Sequence, residues 1–473
     1  MKLFALVLLL LPVFVLGASG PPMPPREFRA AWIATVHNID WPSKAGLPAA
    51  SQRAELSAIM KGAAALKLNA VIFQVRPQCD AFYQSVEPWS RFLSGSMGED
   101  PGYDPLEFAI REAHANGLEL HAWFNPFRAA SSRDTPTTSR HVTRLHPEWV
   151  RSYGTQLWLD PGEPEARAYS MRIIMDVLRR YDVDGIHIDD YFYPYPITSS
   201  GVTVPFPDDA TFRKHGRGMD RADWRRACID SFVEQLYRSI KTEKRSVKVG
   251  ISPFGVWRPG VPATIVAQLD SYDHLYADAR RWLREGWCDY LAPQLYWPIE
   301  RPDQSFPVLL DWWRSENRAE RHLWPGLAID RIGKDRGAQE IGNQIVLTRR
   351  GDSGPGQIHW SGKHLLGNRG GVADLLRRTF YTETALVPAS RWLGSIPPER
   401  PALEKSGSNL EWRTQEQVAP RWWLVQMRSG GKWSTRVYPG SMQEMPLPDG
   451  DTFVVRAVDR AGNLSEPAIR FLQ

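Results

Sequence analysis

Eight short runs rich in β-branched and aromatic residues recur along the chain: 29–36 (RAAWIATV), 69–76 (NAVIFQVR), 118–125 (LELHAWFN), 184–191 (DGIHIDDY), 247–254 (VKVGISPF), 288–297 (CDYLAPQLYW), 322–329 (HLWPGLAI) and 356–362 (GQIHWSG). Segments of helical period lie between them, among them Gln52 to Leu68, Glu165 to Tyr181 and Asp220 to Lys244. Near-continuous apolar strands separated by helices specify a parallel sheet covered on its outer face, and eight such units close into a (β/α)8 barrel. A doubly wound open sheet is the competing arrangement; the count of eight favours closure. In a barrel the chemistry sits on the loops that follow the C-terminal ends of the strands, so the tails of these runs define the search.

At 473 residues the chain has room for more than the barrel, which absorbs ~250 to 400. The last barrel helix is expected near Gly371 to Thr382, and PPERP at 397–401 marks a linker. Beyond it, LEWRT, WWLVQMR, STRVYP and DTFVVRAVDRAGNLSEPAIRFL alternate at the spacing of a small β-sandwich. The expected division is therefore a barrel over 26–393 and an all-β unit over 397–473. At the other end, Met1, Lys2, the apolar run LFALVLLLLPVFVLG and the small residues Ala18, Ser19 and Gly20 form a secretory signal over 1–20. The apolar run is too short to span a bilayer and no Cys follows it, so a periplasmic or secreted protein without membrane insertion is expected.

The mouth of the barrel carries the candidate chemistry. The fourth run continues as DGIHIDDYFYPYP. Alternation places His187, Asp189 and Tyr191 on one side of the strand and Ile186, Ile188 and Asp190 on the other. Asp189 should then point into the mouth above His187, with Asp190 at the rim. Two adjacent carboxylates at a strand end gain nothing for folding unless paired, because desolvating a charge is costly. Other strand ends supply Arg76 and Asp80, Asn125 and Arg128, Trp257 and Arg258, and Gln294, Tyr296 and Trp297. Hydrogen-bonding groups interleaved with aromatics are what a sugar site requires, and the chain's 20 Trp are well suited to stacking on sugar rings, although core packing accounts for most of them.

The motifs REFRAAWIATVHNIDWPS, FQVRPQCDAFY, HAWFNPFR, DGIHIDDYFYP, SPFGVWRP, LYADARRWL and DYLAPQLYW occur in order from about Glu27 to Leu393. Together they resemble the glycosyl hydrolase-like family 10, exported barrel enzymes that include a bacterial hydrolase of peptidoglycan glycan strands stripped of their peptides. DGIHIDD is also similar to the DGxRxD pattern of α-amylase-like barrels. That similarity implies Asp189 as nucleophile, with Asp190 its rival; His187 stands where the amylase pattern has Arg. No Glu closes the fifth strand, so the general acid is sought elsewhere. Asp278 in LYADARRWL is the first candidate and Glu300 the second, while a helix N-cap accounts equally well for Asp278. At the C-terminus, VVRAVDRAGNLSEP is similar to the last hairpin of a fibronectin type III domain, which implies a spacer or docking module.

The expectation is thus a glycoside hydrolase acting on a bacterial polysaccharide, with peptidoglycan glycan strands lacking stem peptides as the implied substrate. The alternatives are a catalytically silent glycan-binding protein and a metal-dependent amidohydrolase or deacetylase on the same barrel. No metal or cofactor is expected: His37, His121, His187 and His359 form no HxH pair after the first strand, and Cys79, Cys228 and Cys288 lack metal-like spacing. With 58 basic against 53 acidic residues and no run of like charge, a nucleic-acid partner is not expected.

Overall fold

The computed structural model describes residues 20–351, 354–414, 416 and 419–472; all of the signal segment except Gly20 lies outside the described residues. Nine parallel strands form one sheet: β1 (Phe28–Ile33), β2 (Ala70–Arg76), β3 (Glu119–Phe124), β4 (Gly185–Ile188), β5 (Lys248–Ile251), β6 (Tyr290–Leu291), β7 (His322–Leu323), β8 (Gly326–Ala328) and β9 (Gly356–Trp360). Their order is β7-β6-β5-β4-β3-β2-β1-β9-β8. The two edges are halves of one run. Pro325 has no N–H to give the ladder and splits 322–328 into β7, which pairs with β6, and β8, which pairs with β9. Gly326 N donates to Pro293 O and Ile358 N to Pro325 O, so this run joins both edges and the sheet closes as an eight-position barrel.

The strands are buried on both faces, which is why their sequences read as continuous apolar runs. Phe28, Ala30, Trp32, Ala70, Ile72, Trp123, Tyr290, Trp324 and Ile358 pack together inside the barrel. Their alternates, including Ala31, Ile33, Val71, Phe73, Ile186 and Ile188, meet the helical layer. Gly250 and Gly185 make room in the interior: a Cβ at Gly250 would lie 1.9 Å from the Tyr290 ring, and one at Gly185 2.6 Å from His121. The surrounding helices include Ala49–Ala65, Pro164–Arg180 and Arg221–Glu243.

The C-terminal unit is two antiparallel sheets. One holds β10 (Ala402–Ser406), β11 (Asn409–Arg413) and β14 (Glu444–Pro446); the other holds β12 (Trp422–Ser429), β13 (Lys432–Pro439), β15 (Thr452–Val458) and β16 (Ala468–Phe471). Leu410, Trp412, Trp423, Val425, Phe453, Val455 and Ala457 form its core. It docks beneath the barrel, at the N-terminal ends of the strands. Arg421 Nε lies 2.7 Å from Asp184 Oδ1, just before β4, and Arg460 also reaches Asp184 and Asp182. Burial raises the Asp184 carboxyl, but the Arg421 guanidinium outweighs it and holds the group well below the usual carboxylate range. Leu386, Trp422, Leu424 and Val458 seal the contact. The opposite mouth stays open. Among the described residues no helix is long and apolar enough to cross a membrane.

Candidate active site

At the C-terminal mouth lies a cavity of about 230 Å³ lined by Trp32, Trp123, His187, Asp189, Asp190, Tyr191, Tyr195, Ser252, Gln294, Tyr296 and Trp360. It is narrower than the ~300–1,000 Å³ of drug-sized pockets and is on the scale of a single sugar ring. Trp360 meets Trp32 and Trp123 edge-on, each with ring centroids 6.2 Å apart, so three indoles form one aromatic corner.

Asp189 and Asp190 both enter this cavity. Alternation would send Asp190 to the other side, but the strand ends at Ile188 and the backbone leaves the pleat, so the neighbouring acid turns inward instead of standing at the rim. Asp189 Oδ2 accepts from Trp123 Nε1 at 2.9 Å, both its oxygens lie 3.3 Å from Asn125 Nδ2, and Oδ1 is 3.4 Å from the Tyr191 N–H. The Asn125 amide is locked the right way round because its Oδ1 accepts from the backbone of Phe127 and Arg128. Asp190 Oδ2 accepts from the Tyr195 hydroxyl, with the Gln294 amide also turned to it.

Burial pushes Asp189 up to about 7; the Arg128 guanidinium opposes this and the Asp190 charge reinforces it. Burial raises Asp190 as well, opposed by the Tyr195 hydroxyl. Burial thus favours the protonated form of both carboxyls, and a negative charge on Asp190 makes Asp189 harder still to ionise.

Beneath the pair a single chain of hydrogen bonds descends the barrel. Trp32 Nε1 is 3.1 Å from His187 Nε2, His187 Nδ1 is 3.0 Å from the Tyr290 hydroxyl, the same hydroxyl is 2.8 Å from His121 Nδ1, and His121 Nε2 is 3.0 Å from Glu119, which holds Lys248. Indole only donates, so His187 Nε2 must accept and its proton sits on Nδ1. Tyr290 then accepts from His187 and donates to His121. Burial, reinforced by His121, keeps His187 neutral. His187 does line the cavity, as expected for a substrate contact, while its one lone pair accepts from Trp32.

Seven other expected site residues do not line this cavity. Arg76 is wholly buried, paired with Glu87 at 2.6 Å and donating to the carbonyls of Asn125 and Pro126, so it braces the loop after β3 and does not reach a ligand. Asp80 is buried beside it and accepts from the Gln78 N–H at 2.9 Å. Asp278 caps helix Ala279–Arg284, accepting from the Arg281 N–H at 3.2 Å and from Trp257 Nε1 at 3.1 Å; neither it nor Trp257 lines the cavity. Trp257 stacks on Trp312 in the outer layer, and Trp297 packs edge-on against Phe254. Exposed Glu300 does not line the cavity either. Arg128 lies behind the wall, its guanidinium 4.6 Å from the Tyr191 ring centroid and bonded to Pro77 O. Tyr191, Gln294 and Tyr296 do line the site.

Trp32, Trp123, Tyr195, Ser252 and Trp360 were not anticipated. Trp32 and Trp123 stand one residue before the ends of β1 and β3, Trp360 ends β9, and Ser252 and Tyr195 follow β5 and β4, but indoles inside apolar runs read as core. Among the described residues, no group of three or more His, Cys, Asp or Glu side chains is placed to hold a metal ion.

The glycosyl hydrolase-like 10 family pattern matches residues 27–341. The chain is 42% identical over 396 residues to Glycosyl hydrolase YngK of Bacillus subtilis, covering 80% of this chain and 77% of the relative. It is 36% identical over 346 residues to Glycosyl hydrolase DigH of Escherichia coli, covering 67% and 77%. Among solved structures, the glycoside hydrolase domain of PgaB (BpsB) from Bordetella bronchiseptica is similar with a TM-score of 0.49 and 15% identity, over 75% of this chain and 98% of that one. The chain belongs to the glycosyl hydrolase-like 10 family.

Proposed function

We propose that this protein is an exported glycoside hydrolase that cleaves O-glycosidic bonds in a bacterial polysaccharide, with peptidoglycan glycan strands lacking stem peptides as substrate. The observation that carries the reading is the Asp189–Asp190 pair, both carboxyls raised by burial, within a sugar-sized aromatic cavity at the C-terminal end of a barrel. Such a pair offers a proton for the leaving oxygen and a negative charge to complement the oxocarbenium-like transition state. Trp32, Trp360 and Tyr296 give the ring an apolar wall, and Gln294, Ser252 and Tyr195 give its hydroxyls partners. Among the described residues the lining contains no Lys or Arg to meet the carboxylates of stem peptides, which supports naked strands as the substrate.

Export rests on the signal segment at 1–20. The three-plus-four strand arrangement after residue 401 supports a fibronectin type III-like module, and its position beneath the barrel fits a spacer or docking role. The test is release of soluble sugar fragments from purified peptidoglycan with and without prior amidase treatment. Release that depends on amidase treatment supports the proposal. Binding to the wall without release under either condition replaces it with the silent glycan-binding alternative.

A further inference from the structure

Glycosidases that use two carboxyls place them on opposite sides of the scissile bond, ~5 to 5.5 Å apart for retention and ~6.5 to 9.5 Å for inversion. Asp189 and Asp190 are consecutive, with Cα atoms ~3.8 Å apart, so both carboxyls reach the substrate from the β4 side. Across the cavity stand Trp32, Tyr296 and Trp360, and among the described lining residues no other carboxylic acid is present. Asp330, which follows β8, lies outside the lining, partly exposed and 3.9 Å from Lys334 Nζ. The protein thus presents a proton and a charge on one side of the sugar and no nucleophile on the other.

A second observation points to what fills that role. The carboxyl of Asp189 is bonded to Trp123, itself one of the three indoles of the aromatic corner. A buried hydrogen-bond acceptor beside an apolar, three-sided corner matches the two ends of an acetamido group: an N–H to donate and a methyl to bury. The Asn125 and Tyr191 donors fix the Asp189 carboxyl in place to receive that N–H.

We infer that the enzyme works on 2-acetamido sugars and uses the substrate's own acetamido carbonyl as nucleophile, with Asp189 orienting that group and Asp190 protonating the leaving oxygen. This rests on the glycosidase reading above. In the first step the carbonyl oxygen forms a bond to the anomeric carbon, the bond to the leaving oxygen breaks, and the Asp190 proton passes to that oxygen. The N–H hydrogen-bonded to Asp189 carries the positive charge of the oxazolinium ring. In the second step water loses a proton to Asp190 and attacks the anomeric carbon, the ring opens, and the acetamido group is restored with the anomeric configuration retained. Donation of the amide N–H to Asp189 favours its ionised form, and that negative charge in turn favours the proton on Asp190, where the chemistry needs it.

The test uses the full chain and glycan strands that have been de-N-acetylated and re-acylated with acetyl, fluoroacetyl or difluoroacetyl groups, with propionyl as a control for size. Fluorine withdraws electrons from the carbonyl with little change in bulk. Re-acetylated strands should recover the native rate, and kcat/KM should fall at each added fluorine, reaching at least about tenfold for difluoroacetyl, which is about 1.4 kcal/mol in the barrier. NMR of the first product should show the retained anomer. Equal rates across the fluorinated series, or an inverted product, overturn the inference and leave the glycosidase reading standing. Failure to cleave any strand, acetylated or not, overturns both.

Discussion

The indole N–H of Trp123 points at Asp189 Oδ2 from 2.9 Å, so a tryptophan that reads as core in the sequence makes the shortest hydrogen bond to the buried acid at the mouth of the site. A hydrogen bond to a charged acceptor contributes about 1.5–3 kcal/mol, or about one to two pKa units on Asp189. Trp123→Phe should therefore raise the alkaline limb of the kcat/KM profile by that amount and lower its plateau. An unshifted limb would separate Trp123 from the titrating pair.

The wild-type profile follows from the same electrostatics. The chemistry needs a proton on the pair, and Asp189, raised to about 7 by burial, loses its proton in that range. Activity should fall as pH rises through about 7, and again in acid once the second carboxyl is protonated. A flat profile between pH 6 and 9 would contradict the assignment.

Stability carries the opposite mark of the same shift. The folded state holds the Asp189 proton more tightly than the unfolded chain does, so this group's contribution is full below about pH 4 and lost as pH rises through about 7. Asp189→Asn should consequently melt higher than wild type at pH 8 and nearly equal to it at pH 4. Thermal melts at the two pH values check this, and a variant less stable at pH 8 would count against a buried, strained carboxylate.

How legible was this site in the sequence? The barrel was, because strands buried on both faces leave apolar runs that survive as a pattern; seven of the eight runs contain their strands, and β1 starts one residue before its run, at Phe28. The Asp pair was too, since two carboxylates at a strand end have no folding rationale. What misled was direction. Arg76 ends β2 as a mouth residue should, yet turns to Glu87. Asp278 is a good helix cap and a good acid on paper, and only its bonds to Arg281 and Trp257 decide between them. The inward turn of Asp190 depends on where β4 stops, which alternation cannot give.

The reassignment of Asp278 has its own test. Asp278→Ala removes an N-cap and should destabilise by about 0.5–2 kcal/mol while leaving kcat/KM unchanged. A loss of about 10²-fold or more, the scale of a general acid, would return Asp278 to the chemistry.

Arg421→Ala probes the docking of the C-terminal unit. It removes the main cationic partner of buried Asp184 and leaves it only His114, Arg460 and the Leu120 N–H, which costs up to about 3–5 kcal/mol. The melting temperature should drop, while kcat at a temperature where the variant is folded should hold, because the contact lies at the end of the barrel opposite the site. A lowered kcat in the folded variant would show coupling between the two ends.

The most direct test of the central claim is the release of reducing ends from amidase-treated peptidoglycan by wild type, Asp189→Asn and Asp190→Asn, each with its fold checked by circular dichroism. The account predicts cleavage by wild type and a loss of about 10²–10⁴-fold in each folded variant. Cleavage by both variants at the wild-type rate would contradict it.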